Sequence, residues 1–274
     1  MESTSKHIQL QYQGYLNTPL LWQKQRIYGL AQLELPGLLV HRFNKTISEN
    51  LLLGKRVEQF VIDELQQHEN IKILLENFQI QNEKITIGEI DCLLQQDDIP
   101  IHLEIIYKFY LFDANLGNSE IDHWTGPNRK DTLVQKLNKL RDKQLPVLYN
   151  EHAKPFLDRL RIHSDDVLQR VLFKAQLFAP YRTNVNFDLV NSQCLKGFYI
   201  HYSETQQFSL CKFHIPVKVD WLLEVHTKVD WISYDQFIKN IAPILNEKKA
   251  PLCWIKFPNG NIQKFFVVWW TSST

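Results

Sequence analysis

Two acidic residues and a lysine lie in neighbouring segments whose residues favour β-strands. Residues 99–111 alternate with a period of two, so that one face is wholly apolar or aromatic while Glu104 and Lys108 share the other face. A second acid, Asp91, lies in the strand-like segment just before it. Acids on adjacent central strands are costly to bury unless a cation pairs with them, and a divalent metal is the usual partner. Asp91 and Glu104 are therefore candidate metal ligands.

The same residues also allow a structural interpretation. Glu104 and Lys108 can form an ion pair on a half-exposed strand, and Asp91 can end a hairpin. His102 shares a face with Glu104 and can be a metal ligand, a general base or a half-buried structural histidine. We favour the structural role for His102, and the spacing of the acids leaves the metal site and the ion pair both open.

A third acid lies on the helix predicted before the strands. Residues 51–66 carry apolar side chains at helical spacing, and Glu58 falls on or beside this apolar stripe. Glu64 has a similar position, so spacing does not choose between the two acids. A Mg²⁺ ion held by two carboxylates keeps several waters, and one of them can act as the nucleophile in phosphodiester hydrolysis. A nearby lysine can orient that water or stabilise charge on the phosphate.

A basic helix is predicted after the strands, at residues 131–144, and we expect it to end before Pro146. Arg129, Lys136 and Lys139 fall within one sector of the helical wheel, beside a stripe of leucines. A basic edge near an acid cluster fits a polyanionic substrate attracted to a metal site. The alternative is the solvated face of an ordinary amphipathic helix.

The order of the predicted elements between residues 51 and 144 is helix, strand, strand, strand, helix. This order predicts an α/β fold with a mixed central sheet flanked by helices. We divide the chain into an N-terminal helical extension (1–50), a core (51–180) and a mixed, aromatic-rich C-terminal part (181–274). That last part either forms its own domain or completes the sheet of the core.

The composition limits the classes of function. The chain has 274 residues, with Lys+Arg 31 against Asp+Glu 30 and a net charge of +1, so any nucleic-acid surface must come from local clustering. Its four cysteines form no CxxC pair and are expected to be reduced thiols. The N-terminal residues do not resemble a signal peptide, and no apolar run reaches the length of a membrane span. We expect a cytoplasmic protein with no membrane partner.

Several stretches together resemble a known family. The order of helix, strands and acids resembles the core of the PD-(D/E)XK nuclease superfamily, which has the restriction-endonuclease-like fold. More narrowly, the chain resembles DUF1853, an uncharacterised bacterial family assigned to that superfamily. The stretches that carry the resemblance are 53–58 (LGKRVE), 88–91 (GEID), 102–111 (HLEIIYKFYL), 126–131 (GPNRKD), 136–137 (KL) and 195–199 (LKGFY).

The resemblance implies a role for each matching residue. Asp91 and Glu104 match the metal-binding acids of the superfamily, and Glu58 matches its helical acid. The backbone carbonyl of Ile105 would be a further metal ligand. The implied cofactor is Mg²⁺, with Mn²⁺ as an alternative.

The position of the lysine departs from the superfamily pattern. That pattern has its lysine two residues after the acid, where this chain has Ile106. Lys108 lies four residues after Glu104, on the same face but about 13 Å along the strand instead of about 7 Å. Either Lys108 reaches a different part of the substrate, or a helix lysine such as Lys136 replaces it, or the site is catalytically weak.

The expected function is that of a Mg²⁺-dependent nuclease or a nuclease-like DNA-processing protein, whose partner is a nucleic acid. Lys108 would position water or phosphate. The residues expected to contact the nucleic-acid backbone are Arg129, Lys130, Lys136 and Lys139. Two alternatives remain: a catalytically inactive nucleic-acid-binding module of the same fold, and a protein-interaction scaffold that uses the aromatic C-terminal region.

Overall fold

A mixed β-sheet flanked by helices organises the protein, in a computed structural model that describes residues 2–37 and 42–271, with side chains from residue 6 onward. In chain order the helices and strands are α1 (Glu2–Leu16), α2 (Leu53–Gln66), β1 (Ile71–Asn82), β2 (Ile85–Gln96), β3 (Ile99–Phe112), β4 (Trp124–Thr125), α3 (Leu133–Lys139), α4 (Lys154–Leu160), β5 (Leu168–Pro180), β6 (Leu195–His201), β7 (Lys212–His214), α5 (Tyr234–Asn246), β8 (Leu252–Lys256) and β9 (Ile262–Val268). The described strands form one nine-stranded sheet in the order β1-β2-β3-β5-β6-β9-β8-β7, and β4 pairs with β3. The pairs β5–β6 and β6–β9 are parallel, whereas β1–β2, β2–β3, β7–β8 and β8–β9 are antiparallel. The α/β fold class is confirmed.

The elements between residues 51 and 144 follow the predicted order of helix, three strands and helix. The second helix, formed by α3 and a π-helical turn, ends at Gln144, before Pro146 as predicted, but a 3-10 helix follows it directly. A π-helical turn, Leu140–Gln144, and a 3-10 helix, Leu145–Tyr149, continue directly from α3. Pro146 lies in the first turn of the 3-10 helix, where the missing N–H removes no intrahelical hydrogen bond, so the proline does not stop the chain from coiling on.

The chain divides into two compact units. The first unit contains Met1–Pro19, Lys108–Val134 and Ala175–Thr274, and the second contains Leu20–Tyr107 and Gln135–Lys174. Strands β3 and β5 each contribute residues to both units. The domain organisation predicted from the sequence, with the ranges 1–50, 51–180 and 181–274, stays a prediction. Some residues of those ranges lie outside the described part of the chain, namely 1, 38–41 and 272–274.

In the second unit, a two-residue turn fixes how β2 pairs with β3. Asp97 and Asp98 form this turn with φ of 48° and 67°. Aspartate adopts this left-handed conformation more readily than most residues, and two successive positive φ values match the twist of the flanking strands. The residue pairs run from Gln96↔Ile99 to Cys92↔Leu103. The next residue on each strand is Asp91 or Glu104, and opposed residues of an antiparallel pair lie on the same face.

Helix α2 holds one acid beside the core of the second unit. Its buried residues include Val57, Phe60 and Val61, whose spacing places them on one face of the helix. Burial of each such side chain stabilises the fold by roughly 1.5–3 kcal/mol, so the orientation of the helix is well determined. Glu58 follows Val57, and its side chain is 15% exposed. The acid is thus held at the edge of the packed face.

Both faces of β3 are buried around His102 and Glu104, whereas Lys108, further along the polar face, is 36% exposed. His102 and Glu104 are 0% exposed, and Ile106 on the same face is 3% exposed. The ion-pair interpretation placed Glu104 on a half-exposed part of the strand, which is wrong. The half-buried position expected for His102 is wrong as well. A fully buried carboxylate needs hydrogen bonds or a cation, because desolvation of an unpaired charge costs several kcal/mol.

The first unit has its own apolar core, built largely from aromatic side chains of its strands and of α5. The rings of Phe213 and Phe237 stack at 4.1 Å between centroids. The buried members of this core are Phe198, Ile200, Phe208, Cys211, Phe213, Phe237, Ile241, Leu245, Cys253, Ile255, Phe265 and Val267. Core packing thus explains many of the aromatic residues of the C-terminal part.

Candidate functional site

Three carboxylates from β2, β3 and α2 act on one another in the second unit. The backbone N–H of Ile105 donates a hydrogen bond of 2.9 Å to Asp91 Oδ2, just beyond the last residue pair of β2 and β3. The charges that act on the Asp91 carboxylate include those of Glu104 and Glu58. Asp91 is thereby brought together with Ile105, 14 positions later in the sequence, and with Glu58, 33 positions earlier.

The pKa values of these acids reflect burial and mutual repulsion. Burial raises the pKa of Asp91 to about 7, and the charges of Glu104 and Glu58 add to this effect. Burial also raises the pKa of Glu58, which Lys55 opposes and Glu89 reinforces. Ionising both Asp91 and Glu58 is therefore unfavourable until more positive charge reaches the cluster.

One lysine already contributes positive charge to the cluster. Lys55 Nζ lies 2.7 Å from Glu58 Oε2 and 2.9 Å from Glu89 Oε1. It also donates to Asn77 Oδ1 at 2.9 Å, and its charge lowers the pKa of Asp91. With four acids near one another, Lys55 compensates only part of their charge.

A second lysine reaches Glu104 through a glutamine. Gln144 Nε2 donates to Glu104 Oε2 at 2.5 Å, and Lys136 Nζ donates to Gln144 Oε1 at 2.7 Å. On the other side, His102 Nε2 lies 3.3 Å from Glu104 Oε1. A neutral His102 with its proton on Nε2 donates to this oxygen, and its buried Nδ1 then has no partner among the described residues. Both carboxylate oxygens of Glu104 are held in a fixed orientation.

The donor atoms suit a hard divalent cation. Within residues 6–37 and 42–271, no three His, Cys, Asp or Glu side chains are arranged to hold a metal ion. The candidate set is smaller, with the carboxylates of Asp91 and Glu104 and the carbonyl of Ile105. Asp91 Oδ1 has no hydrogen-bond donor among the described residues, which leaves this oxygen available. One or two carboxylates with several waters is the usual environment of Mg²⁺, so the donors fit by type.

Lys108 has a partner in the first unit. Its Nζ lies 2.5 Å from Asp131 Oδ2, and the two side chains are 36% and 39% exposed. A half-exposed pair of this kind contributes about 0–1 kcal/mol. The catalytic role of Lys108 stays a prediction, and in the structure its ammonium group pairs with Asp131.

The predicted substrate-binding residues divide between the two units. In the first unit, Arg129 forms an ion pair with Asp113 and stacks 4.0 Å above the ring of Trp270. Lys130 in the same unit is exposed. The side chain of Arg129 is thereby committed to contacts within its own unit.

The other two predicted substrate-binding residues, Lys136 and Lys139, lie in the second unit together with the carboxylates. Lys136 is half-buried and is tied to Glu104 through Gln144, whereas Lys139 is exposed at the end of α3. Spacing left open whether Glu58 or Glu64 of α2 belongs to the cluster. Glu58 does, because its charge acts on Asp91 and the charge of Glu104 acts on it.

The sequence analysis missed three residues of this cluster. Lys55 precedes Glu58 by about one helical turn, and Glu89 precedes Asp91 by two strand residues. Each spacing predicts that the residue shares a face with a predicted acid. Gln144 gave no such signal. It reaches Glu104 because the chain continues past α3 as a π-helical turn.

Comparison with known proteins places the chain in a family. In the described ranges every helix is too short or too polar to span a bilayer. No curated protein and no solved structure matches the chain. A family model described as "Domain of unknown function (DUF1853)" matches residues 11–268, which is nearly the whole chain. The chain therefore belongs to the DUF1853 family.

Proposed function

We propose that the second unit contains a Mg²⁺-dependent phosphodiester hydrolase site of the PD-(D/E)XK type that acts on nucleic acid, with DNA as the expected substrate. The observation that supports this proposal is the placement of Asp91 and Glu104 directly beyond the last residue pair of β2 and β3, where Asp91 accepts a hydrogen bond from Ile105, with Glu58 of α2 acting on both acids. Buried acids that repel one another are stabilised by a divalent cation, and a phosphodiester brings further negative charge that such a cation neutralises.

Each residue of the cluster has a role in this proposal. Asp91, Glu104 and the carbonyl of Ile105 hold the cation, which when bound supplies a water of lowered pKa and Lewis acidity towards the phosphate. Gln144 and His102 orient the Glu104 carboxylate from its two sides. Supporting hydrogen bonds of this kind typically change metal affinity 10–100-fold.

The raised pKa of Asp91 gives this residue a further capacity. A carboxylate with a pKa of about 7 can accept a proton from water near neutral pH far better than an ordinary aspartate does. Glu58 and Lys55 tune that value in opposite directions. Asp91 can therefore serve as a ligand of the cation or as a base for the attacking water, and both roles require its ionised carboxylate.

The missing superfamily lysine is replaced in this proposal by lysines of the second unit. Lys136 is two hydrogen bonds away from Glu104, and Lys55 contacts Glu58. Either ammonium group is placed to stabilise negative charge that develops on a phosphate next to the acids. Lys139, exposed on the same helix as Lys136, contacts the nucleic-acid backbone.

The test is a cleavage assay on linear, nicked, single-stranded and structured nucleic acids with Mg²⁺ or Mn²⁺. Asp91→Asn and Glu104→Gln are expected to reduce the rate by about 10²-fold or more, as removal of a metal ligand or base does. Glu64→Gln is the matched control, because Glu64 lies on α2 but is not assigned to the site. Absence of cleavage of every substrate by the wild type, or full activity of Asp91→Asn, contradicts the proposal.

A second candidate is a nucleic-acid-binding module of the same fold without catalysis. Two observations favour it: Ile106 stands where the superfamily has its lysine, and both oxygens of Glu104 already accept hydrogen bonds. This candidate predicts salt-sensitive binding that Lys136→Ala and Lys139→Ala weaken, without metal-dependent turnover. Binding that neither substitution changes would exclude it. The protein-interaction scaffold stays a prediction without a supporting observation.

A further inference from the structure

A buried lysine lines a cavity in the first unit. The cavity has a volume of about 280 Å³ and lies beside the first residues of β6 and β9. Lys264 of β9 forms part of its wall and is 6% exposed. Other lining residues are Asn17, Gln176, Lys196, Glu224 and Gln263. The cavity is of the size of a small-ligand site and offers several amide groups for hydrogen bonding.

The hydrogen bonds of Lys264 fit an uncharged amine. Its Nζ donates to Gln176 Oε1 at 2.9 Å and to the backbone carbonyl of Trp221 at 2.8 Å. A neutral amine has two N–H groups and one lone pair, so these two acceptors use all its donors. A protonated amine would have a third N–H, and no carboxylate of the described residues lies within 4.0 Å of Lys264.

The charge state of Lys264 follows from its surroundings. Burial lowers the pKa of Lys264 to about 7, which Glu224 opposes and Lys196 reinforces. Near pH 7 about half of the Lys264 side chains are therefore uncharged. For an ordinary lysine the uncharged fraction at this pH is about one in a few thousand.

We propose that Lys264 is a nucleophilic amine that binds a small aldehyde or ketone in this cavity, reversibly and covalently, as an imine. The Nζ lone pair forms a bond to the carbonyl carbon, and the electron pair of the C=O π bond moves to the oxygen. Proton transfer from nitrogen to that oxygen gives a carbinolamine, which loses water to leave a C=N bond. Nothing is oxidised or reduced in this reaction, and water is the only product besides the imine.

The hydrogen-bond partners of Lys264 can also accommodate the product. A protonated imine keeps one N–H, which can remain bonded to Gln176 Oε1. The Trp221 carbonyl then still accepts from Gln176 Nε2, at 3.3 Å. The Glu224 carboxylate favours the positive charge of the protonated imine, as it favours that of the lysine. Lys196 at the cavity wall would attract a carboxylate carried by the ligand.

The experiment is reductive trapping on the full chain with glyoxylate, which is an aldehyde that carries a carboxylate, and cyanoborohydride. Peptide mass mapping then gives the extent of modification at every lysine. At pH 7 Lys264 is expected to be modified at least about tenfold more than Lys196, because the lowered pKa of Lys264 leaves about half of its side chains uncharged. Equal or weaker modification of Lys264 overturns the proposal, and this measurement on the wild type does not depend on the folding of any variant.

A substitution of Glu224 supplies a second measurement. Glu224→Gln removes the carboxylate that opposes the lowered pKa of Lys264. The pH at which trapping is half-maximal should therefore fall relative to the wild type, whereas Glu247→Gln, on an exposed carboxylate paired with Lys249, should leave it unchanged. The proposal is overturned if the pH profile of trapping at Lys264 matches those of exposed lysines, or if Glu224→Gln leaves this profile unchanged.

Discussion

Two polar clusters of this protein bury charges of opposite sign, and neither contains enough opposite charge for neutralisation. In the second unit, Asp91, Glu104 and Glu58 act on one another, and Lys55 compensates part of their charge. In the first unit, Lys264 is buried without a carboxylate within 4.0 Å among the described residues. The acid cluster is expected to attract a cation, and the lysine is expected to lose its proton.

The two buried groups differ in the direction of their pKa shifts. Both Asp91 and Lys264 have a pKa near 7, but the first is raised and the second is lowered. The cost of burying Asp91 is therefore largest above pH 7, where it is ionised, and the cost of burying Lys264 is largest below pH 7. Groups with strongly shifted pKa values are concentrated at functional sites, and this opposite pH dependence separates the two clusters experimentally.

The largest expected effect on stability is that of Asp91→Asn in metal-free protein. Because the folded-state pKa of Asp91 lies above its unfolded value, the wild type loses stability as the pH rises from about 4 to about 7. The variant lacks this loss and should be more stable at pH 8 by up to about 4 kcal/mol, with no gain at pH 4. Denaturant unfolding with EDTA at both pH values measures this, with Asp98→Asn at an exposed turn as control. A variant less stable than the wild type at pH 8 would contradict the account of the acid cluster.

A divalent cation should produce the next largest effect. Mn²⁺ at about 100 times its dissociation constant should stabilise the wild type by about 3 kcal/mol at pH 8. The gain should shrink as the pH falls below 7, because protons compete with the cation for Asp91. Thermal unfolding of the wild type and of Asp91→Asn with and without Mn²⁺ checks this prediction. Equal stabilisation of both proteins would show that the cation binds elsewhere.

Lys264→Met should give a smaller gain with the opposite pH dependence. The lowered pKa of Lys264 makes the wild type gain stability as the pH rises from about 7 to about 10, so the penalty is fully present below pH 7. The substitution removes that penalty together with the hydrogen bond from Lys264 to Gln176 Oε1, for a net gain of about 2 kcal/mol at pH 6. Denaturant unfolding between pH 6 and pH 10 measures this, with Lys239→Met, an exposed lysine of α5, as the control. A gain that grows with pH would contradict the assignment.

The smallest expected effect is that of Gln144→Leu. Loss of the amide that orients Glu104 should weaken Mn²⁺ binding by about tenfold and leave the fold intact. Titration calorimetry with Mn²⁺ measures the affinity, and Gln95→Leu on β2 is the control glutamine, which bonds to the exposed Asp98. Unchanged affinity would show that Glu104 needs no support from Gln144.

Much of the fold followed from periodicity and turn residues. The helix before the strands and the three strands 71–112 were predicted because their apolar residues repeat at 3.6 or 2 positions. The adjacency of Asp91 and Glu104 follows from the hairpin turn at Asp97-Asp98. These features are local in sequence, so short-range patterns determine them.

The rest of the candidate site depends on contacts that sequence patterns do not encode. Gln144 reaches Glu104 across 40 positions, and Lys108 forms an ion pair with Asp131 across 23 positions. Lys264 did leave a signal, because it has the same parity as the buried Phe266 of β9. A charged residue at a core position of a strand deserved to be singled out as a candidate for chemistry.

The most direct test of the central claim is a crystal structure of the protein soaked with Mn²⁺ above pH 7, with the ion located by its anomalous scattering. The account predicts one Mn²⁺ ion with Asp91 Oδ1 and a Glu104 oxygen both at about 2.1 Å. Absence of a metal between these carboxylates, with Glu104 still bonded to Gln144 and His102, would contradict the claim that the acid cluster is a metal site.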